Sequence, residues 1–537
     1  MEEINTGELN DVRHSHSNMA KPDWDEIWTL LREAKLVVST TVKEKLLDAD
    51  QPIQLVQTLI TEFSPGYLDL ERAEKFLSQK ADPSKENFGR VIAPIGESEI
   101  KNLAYRNNLP DWRTEDFPLH AVDCDLDFQV HYDITGNSTT EGKMGDIAQA
   151  FNDRLTQIRK LIIANSKLPR RPMDIERLIV EKSRFQGRDN LAVAIGLVNN
   201  PRHTKNGHLM FEIEDSSGEM SCLLMDRHAN DMSIQNKQVV EAGLMPDDVI
   251  GVSGTFSQTG DIFYVDDLHF PMENQHQKTY ANQGVSVAFL SDIHVGSKTF
   301  LMGQWLKMMD WFNKDPLAKT IKYLILSGDC VDGVGIYPGQ DRELAIKDLF
   351  DQYTEFARLL EMLPEWVECI MLPGNHDAVR PAEPQPTLEA EIQQDYNNTM
   401  FVGNPCDFSL HGVRLLSYHG KSIDDFVAGL RNVTYEDPVE AMRQMLRRRH
   451  LAPQWGGKTP LSPEPEDGLV IRKVPDIFVT GHVHGHAALD FHGTTLVCSS
   501  TWQDQTSYQR MLGFQPKPCM LTIVNLGTHK HISIPFA

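Results

Sequence analysis

The stretch VSVAFLSDIHVG, residues 285–296, places an uncharged apolar run directly before a short polar segment that ends in glycine. Such a run is typical of a buried strand. Four more polar segments also follow apolar runs. Helical segments lie between them, including an amphipathic stretch from Asp341 to Leu363. This alternation predicts an α/β domain over 281–537 with its chemistry at strand ends. The four polar segments are SGDCVDG (327–333), PGNHDAVR (373–380), SYHGK (417–421) and TGHVHGH (480–486).

The five segments carry the side chains that a pair of divalent metal ions would need. Asp292 and His294 are two residues apart, so on an extended backbone their side chains should point to the same side. The same holds for His482 and His484. One carboxylate such as Asp329 can bridge two ions. Oxygen and imidazole ligands without cysteine suit Mn²⁺, Fe²⁺, Zn²⁺ or Mg²⁺, and seven ligands predict two ions about 3.5–4 Å apart, the spacing of two-metal phosphoryl chemistry. The candidate ligands are Asp292, His294, Asp329, Asn375, His419, His482 and His484.

The rest of the chain predicts further domains, because 537 residues exceed what one hydrophobic core usually organises. Short β-type runs separated by turns predict a small barrel, and an OB-fold is the favoured kind. Phe211 falls on the apolar face of its strand beside Glu212 and Glu214, which favours a barrel that docks protein over one that reads DNA. The predicted regions are a helical domain (1–80), a linker (81–135), a connecting helix (136–173), the barrel (174–280) and the α/β domain (281–537).

Charge and cysteine usage limit the partners and the compartment. A formal net charge of −24 opposes unaided tight binding to nucleic acid, so bound cations, a local basic patch or a partner subunit would have to assist. Seven scattered cysteines without a CxxC indicate neither a disulfide framework nor a zinc module. No window approaches the roughly eighteen apolar residues of a membrane helix, and the polar N-terminus lacks a secretory signal. The sequence therefore predicts a cytoplasmic protein without a membrane partner.

The order D-x-H, G-D-x-x-D, G-N-H-D, a later His and G-H-x-H resembles the calcineurin-like metallophosphoesterases. SDIHVGSKTF, GDCVDGVGIYPGQ, LPGNHDAVRPAEPQP and VPDIFVTGHVHGH resemble, more narrowly, the small subunits of archaeal family D DNA polymerases, and the upstream DITGNSTTEGK and FNDR fit as well. The likeness covers roughly residues 130–510 and is weak in the first 80. It implies an OB-fold followed by a phosphoesterase β-sandwich flanked by helices.

Carried over by position, the resemblance assigns two ions, with Mn²⁺ expected, and a 3′–5′ exonuclease that proofreads for a separate large catalytic subunit. Its substrate would be the 3′ end of single-stranded or mismatched DNA. His376 is expected to protonate the departing 3′ oxygen, and Asp377 either to orient its imidazole or to brace the loop, with bracing favoured. One ion would sit on Asp292, His294, Asp329 and His484, and the other on Asp329, Asn375, His419 and His482.

Several nearby residues admit more than one interpretation. Arg380 could contact a DNA phosphate, and Tyr337, in the loop GVGIYPGQ (333–340), a base. His486 continues the spacing of the last two histidines, but surface or substrate contact is favoured over metal binding. Cys330 is predicted to be a small core residue. The basic run RQMLRRRH (443–450) predicts a solvated helix face, with DNA or a partner as the alternative.

Two other functions compete with the nuclease. Eukaryotic polymerase small subunits resemble this fold but have lost metal ligands, so a non-catalytic scaffold is the first alternative. All the ligand positions are filled here, which argues for activity. A stand-alone phosphatase or repair nuclease is the second, and the preceding barrel argues against it.

Overall fold

The computed structural model describes residues 24–34, 36–38, 42–43, 46, 52–63, 66–68, 120–187, 190–225, 233–272, 275–511 and 514–537. The chain divides into two compact units, residues 1–94 and 95–537. The first unit contains helices α1 (Trp24–Glu33) and α2 (Pro52–Phe63), in line with the helical prediction. It also contains two three-residue strands, β1 (Leu36–Val38) and β2 (Gly66–Leu68), which pair in parallel and which are too short to show a periodicity.

Part of the predicted linker is a strand. Residues 81–119 lie outside the described residues, but β3 (Phe128–Tyr132) pairs antiparallel with residues 406–410 and forms one edge of a six-stranded sheet. Phe128 packs against Phe408 with ring centroids 5.4 Å apart. The linker prediction is wrong for this strand, because its pairing partner lies almost 280 residues further along the chain.

Next comes a closed five-stranded barrel. The long helix α3 (Met144–Asn165) and the short helix α4 (Ile175–Val180) precede the barrel, and α5 (Ile234–Ala242) lies between its third and fourth strands. Phe211, on the interior face, is fully buried. The α3 residues Leu155, Ile158 and Ile162 pack against the barrel wall. The strands, in the spatial order β4-β5-β6-β8-β7, are β4 (Ala192–His203), β5 (Leu209–Asp215), β6 (Gly218–Leu224), β7 (Val249–Phe256) and β8 (Phe263–His269).

The remainder of the chain forms two six-stranded sheets that pack face to face. Apolar residues from both sheets, such as Phe289 and Ile325 on one and Leu415 and Val479 on the other, share one core. Sheet A has the order β12-β11-β10-β9-β18-β19, from β9 (Ser286–Leu290), β10 (Ile321–Ser327), β11 (Glu368–Leu372), β12 (Thr399–Phe401), β18 (Met520–Asn525) and β19 (His531–Pro535). Sheet B has the order β16-β17-β15-β14-β13-β3, from β13 (Cys406–Leu410), β14 (Val413–Ser417), β15 (Ile477–Thr480), β16 (His486–Phe491) and β17 (Thr494–Ser499) with β3.

Helices connect and flank these strands. The amphipathic helix predicted from Asp341 begins later, because Asp348 caps it by accepting hydrogen bonds from the N–H groups of residues 350 and 351. Phe426 and Met442 pack in one cluster with residues of sheet B, such as Leu416. None of the described helices has the length and apolar character needed to cross a bilayer. The helices are α6 (Met302–Lys314), α7 (Leu349–Leu360), α8 (Ala390–Gln393), α9 (Ile423–Gly429), α10 (Pro438–Arg448) and α11 (Ser507–Met511).

The basic run 443–450 is not a solvated face. Arg448 is buried, and its Nε lies 2.9 Å from both carboxylate oxygens of Asp248, next to barrel strand β7. Arg449 is also buried and donates from Nε to the carbonyl oxygen of Ile471 at 2.7 Å. The prediction of solvent exposure is wrong because the partners are distant in sequence. This run instead ties the barrel to the two-sheet domain.

Candidate metal centre

The seven predicted ligands all follow strands at one edge of the two-sheet domain. They come after β9, β10 and β11 of sheet A and after β14 and β15 of sheet B, where parallel strands bring their carboxyl ends together. The sequence predicts an extended backbone for two pairs of ligands, Asp292 with His294 and His482 with His484. This prediction is wrong, because all four residues have a positive φ, in the left-handed region. A non-glycine residue held there costs on the order of 1–3 kcal/mol, and such strain clusters at functional sites. The residues with positive φ include Asp292 (51°), His294 (54°), Asp329 (51°), His482 (68°) and His484 (51°).

Glycines allow the ligand loops to approach each other closely. A Cβ on Gly374 would lie 2.3 Å from Oδ1 of Asp329, and one on Gly481 would lie 2.5 Å from Oδ2 of Asp292. Both distances are shorter than real contacts, so a side chain at either position would displace a ligand.

One group of ligands contains Asp292, His294 and His484. The Nε2 atoms of the two histidines are 3.2 Å apart, and Nε2 of His484 lies 3.5 Å from Oδ1 of Asp292. That oxygen is buried and accepts no hydrogen bond in the structure. A buried carboxylate oxygen without a donor is expensive unless a cation neutralises it. The three ligating atoms lie within 4.8 Å of one another.

A second group contains Asp329, His419 and His482, again within 4.8 Å of one another. Nε2 of His419 lies 3.3 Å from Oδ2 of Asp329 and 3.1 Å from Oδ1 of Asn375. The same Oδ2 of Asp329 is 4.0 Å from Nε2 of His294, in the first group. Asp329 therefore faces both groups.

Three of the candidate histidine ligands have one ring nitrogen in contact with an acceptor. Nδ1 of His294 contacts Asp332 at 3.1 Å, Nδ1 of His419 contacts the carbonyl oxygen of residue 327 at 3.0 Å, and Nε2 of His482 contacts Asp424 at 3.2 Å. In a neutral ring, such an acceptor fixes the proton on that nitrogen and leaves the other nitrogen able to bind a cation. Sequence reasoning missed both carboxylates. Asp332 stands inside the quoted GDCVDG, and Asp424 follows His419 by five residues, so local acidic residues were the available signal.

The electrostatics of the pocket favour positive charge. Burial acts to raise the pKa of Asp329, but the surrounding histidines, His419 first among them, outweigh it and hold that pKa well below the usual range. Burial acts to lower the pKa of His419, yet the Asp329 carboxylate overrides it and raises the pKa to about 10. The pKa of His484 is lowered, because burial there outweighs Asp292. Two buried carboxylates surrounded by nitrogen donors fit a pair of divalent cations.

His376 lies at the mouth of this cluster. Its Nδ1 contacts the carbonyl oxygen of Asp332 at 2.7 Å, and Nε2 is 4.0 Å from Oδ2 of Asp329. Its backbone N–H donates to the other oxygen of Asp329 at 2.8 Å. Asp377 does not hold the ring but accepts from the N–H of Gly374 at 2.8 Å, which agrees with a bracing role.

Arg380 does not have the role expected for it. It donates to the carbonyl oxygens of residues 382 and 384, to Ser138 at 2.7 Å and to Glu464 at 3.0 Å. These contacts use four of its five N–H groups, one on Nε, one on Nη1 and two on Nη2. Arg380 therefore fastens the loop that follows the Asn375 motif to distant segments, and the geometry does not support the predicted phosphate contact.

The two remaining candidates lie beside the cluster. Tyr337 is half-buried and donates from its hydroxyl to Glu343 at 2.9 Å, within the loop that follows Asp332. His486 begins β16 and contacts the hydroxyls of Thr522 and Ser533 at 3.1 and 3.0 Å. The surface or substrate contact predicted for His486 is therefore replaced by a contact between the sheets. Cys330 is fully buried, as predicted.

The chain is similar to subunits of DNA polymerases. The family described as the B subunit of DNA polymerases alpha and epsilon matches residues 287–488, which include all five ligand-bearing segments. DNA polymerase II small subunits are similar over most of the chain. The protein of Methanocaldococcus jannaschii is 36% identical over 458 residues, covering 82% of this chain and 73% of its own. That of Halobacterium salinarum strain R1 is 38% identical over 406 residues, covering 74% and 76%.

A third relative, from Pyrococcus furiosus, is 37% identical over 475 residues, covering 84% of this chain and 75% of its own. The chain therefore belongs to the archaeal DNA polymerase II small subunits, the small-subunit family of family D DNA polymerase, and the resemblance noted in its motifs is confirmed. Among solved structures, apo TiaS, a tRNAIle2 agmatidine synthetase, aligns over 16% of this chain and 19% of its own at 20% identity with a TM-score of 0.13, too small an overlap to bear on function.

Proposed function

We propose that this chain is a 3′–5′ exodeoxyribonuclease that removes nucleotides from the 3′ end of DNA and proofreads for a large catalytic polymerase subunit. The position of Asp329 between two groups of histidines, all of them buried except the partly buried His482, carries the proposal. A carboxylate in that position can bind two ions through its two oxygens. The cofactors would be two divalent cations, with Mn²⁺ expected.

The architecture supports this function. Renumbered from its first strand, the barrel has the order 1-2-3-5-4, with a helix after the third strand and parallel pairing of the third and fifth, which is the arrangement of an OB-fold. The two facing sheets with ligands at their carboxyl ends correspond to a calcineurin-like phosphoesterase. Both fit the domain order that the motifs imply.

The ligand atoms divide between two positions. Asp292, His294 and His484 would hold one ion, His419, His482 and Asn375 the other, and Asp329 both. When bound, the ions would polarise the phosphodiester and lower the pKa of a water molecule. The orphaned oxygen of Asp292 and the fixed ring orientations of His294 and His419 suit these ligand roles.

His376 would supply the leaving-group proton. Its Nδ1 is held by a backbone carbonyl, so the ring is oriented with Nε2 toward the pocket. When the ring carries a proton on both nitrogens, the proton on Nε2 can pass to the 3′ oxygen of the penultimate nucleotide as the bond from that oxygen to phosphorus breaks and a water oxygen bonds to phosphorus in its place, which releases the terminal nucleoside 5′-monophosphate. Proton transfer of this kind typically contributes 10²–10⁴-fold to the rate.

The competing scaffold function would not require this geometry. A subunit that only connects other proteins gains nothing from strained backbone at five ligands or from a buried carboxylate oxygen without a donor. Membership of a polymerase small-subunit family weighs against a stand-alone phosphatase. The large-subunit partner is itself part of the proposal, since the relatives are named small subunits.

The test is nucleotide release from 3′-labelled DNA, with matched and mismatched ends, by the purified chain in Mn²⁺, alone and with the large subunit. We expect release by the wild type and its loss in Asp329→Asn. Substitution of His131, an exposed histidine on β3 outside the ligand cluster, by alanine should leave the rate unchanged. No release by the wild type in either setting, or full release by Asp329→Asn, would refute the proposal.

A further inference from the structure

The last part of helix α3 and the loop that joins it to α4 are strongly basic within a chain of formal net charge −24. Residues 159–173 contain five Lys and Arg residues and no Asp or Glu. Arg159 pairs with Asp174 at 3.5 Å. The other four are exposed, and in the part of the chain that the structure describes none of them has an ion-pair partner. These four are Lys160, Lys167, Arg170 and Arg171, and we call them the basic loop cluster.

Three members of this cluster, Lys167, Arg170 and Arg171, lie on a loop that is fastened to the barrel at both ends, and Lys160 lies in α3. The hydroxyl of Ser166 donates to the carbonyl oxygen of Phe270 at 2.7 Å. At the other end, the N–H of Met173 donates to the carbonyl oxygen of Val193 in β4 at 2.9 Å. The loop is thus held at a defined place on the barrel surface.

Arg171 has a restricted backbone as well. It stands directly before Pro172, whose ring disfavours the helical region for Arg171, so less backbone entropy is lost there when a ligand binds.

This cluster differs from the basic run that the sequence emphasises. In residues 443–450, Arg448 is buried against Asp248 and cannot meet an external anion. The basic loop cluster is exposed, and among the described residues it has no internal carboxylate to neutralise it. Residues 159–173 therefore present exposed positive charge that could attract an anion to a chain of net negative charge.

We infer that the basic loop cluster binds the phosphate backbone of DNA. Planar guanidinium groups match phosphate oxygens, and unneutralised cations on a fixed loop are the usual footprint of backbone binding. The chain belongs to a DNA polymerase small-subunit family, which brings DNA to it. This role does not depend on the nuclease proposal, because it requires neither the metal centre nor hydrolysis.

The test measures binding of a fluorescent primer–template DNA by anisotropy over a series of salt concentrations, with the full chain in complex with the large subunit. EDTA is present, so hydrolysis plays no part and failure here is separate from failure of the nuclease assay. For Arg170→Gln/Arg171→Gln we expect weaker binding to all DNA sequences alike. The slope of log K against log salt should fall by about 2, about 1 for each phosphate that is no longer neutralised.

The control is Arg177→Gln/Arg184→Gln. These arginines are also exposed and lie nearby in the sequence, but both pair with Glu181. The control removes the same formal charge and should leave the salt slope unchanged. An unchanged slope in Arg170→Gln/Arg171→Gln, or an equal fall in both variants, would overturn the inference. So would intact DNA binding combined with weaker association with the large subunit, which would assign the loop to an acidic protein surface.

Discussion

The Nε2 atoms of His294 and His484 lie 3.2 Å apart inside the protein, although the two residues are separated by 190 positions in the sequence. Both nitrogens face the buried oxygen of Asp292, which accepts no hydrogen bond. Two imidazole nitrogens and a carboxylate oxygen arranged in this way form a candidate site for one cation.

Addition of Mn²⁺ is therefore expected to stabilise the protein. A ligand that binds only the folded state at about 100 times its Kd adds about 2.7 kcal/mol to the free energy of unfolding. Thermal unfolding with and without Mn²⁺, and after EDTA, measures the effect, and metal analysis gives the stoichiometry. His484→Ala should reduce the stoichiometry from two ions to one. Asp437→Asn, which changes an exposed acidic residue that caps no helix by its side chain, should behave as the wild type. A wild type that binds no Mn²⁺ would contradict the prediction.

Asp424 should matter for metal affinity without binding an ion itself. It lies 3.2 Å from Nε2 of His482 and 2.8 Å from Nζ of Lys421. Loss of a carboxylate that orients a ligating histidine typically weakens metal binding 10- to 100-fold, and we expect this range for Asp424→Asn. Titration with Mn²⁺ followed by calorimetry measures it, with Asp437→Asn again as the control. Equal affinity in Asp424→Asn and the wild type would show that the contact is only structural.

Substitution of His376 should separate chemistry from metal binding. If its Nε2 delivers a proton, His376→Ala lowers kcat for nucleotide release by about 10²–10⁴-fold while both ions still bind. Single-turnover release from 3′-labelled DNA and metal analysis on the same preparation give the two readouts. A variant that loses an ion together with activity would instead place His376 among the ligands. The distance of 4.0 Å between Nε2 of His376 and Oδ2 of Asp329 is short enough for both atoms to bind one ion.

The candidate ligands could be proposed from the sequence because each stands directly after a strand-like run, whereas the contacts that join distant segments of the chain could not. Runs such as VSVAFL mark the strands, and the polar residues after them converge wherever parallel strands share an edge. Pairings across hundreds of residues leave no local pattern. For that reason the sequence predicts a linker at β3 and a solvated side chain at Arg448 and leaves a phosphate contact open for Arg380, although their partners are Phe408, Asp248 and Glu464.

In the ion pair between Arg448 and Asp248, loss of either residue alone should destabilise the protein more than loss of both together would suggest. Removal of one member leaves the other buried without a partner, so Asp248→Asn or Arg448→Met alone should lower the free energy of unfolding by about 3–5 kcal/mol. The double variant should be less destabilised than the sum of the single ones. Urea denaturation of all four proteins completes the cycle. Additive effects would mean that the two side chains do not interact.

Acid should destabilise the protein in two steps through the buried pair His450 and Asp467, whose side chains lie 3.0 Å apart. Burial lowers the pKa of His450, so the unfolded chain takes up the proton first, and stability falls as the pH drops below about 6.5. Burial opposes ionisation of Asp467, but Arg154 and His450 outweigh it and lower its pKa. Its contribution is present above the unfolded value of about 3.9 and is lost as the pH falls further.

The variant His450→Gln isolates the first step. Glutamine can still donate to Asp467 but does not titrate, so the difference in free energy of unfolding between pH 7 and pH 5 should be smaller in this variant than in the wild type. Urea denaturation at pH 7, 6 and 5 measures the difference. His492→Asn, which removes an exposed histidine, supplies the comparison. An identical pH dependence in wild type and His450→Gln would show that His450 is not the group that destabilises the fold between pH 7 and 5.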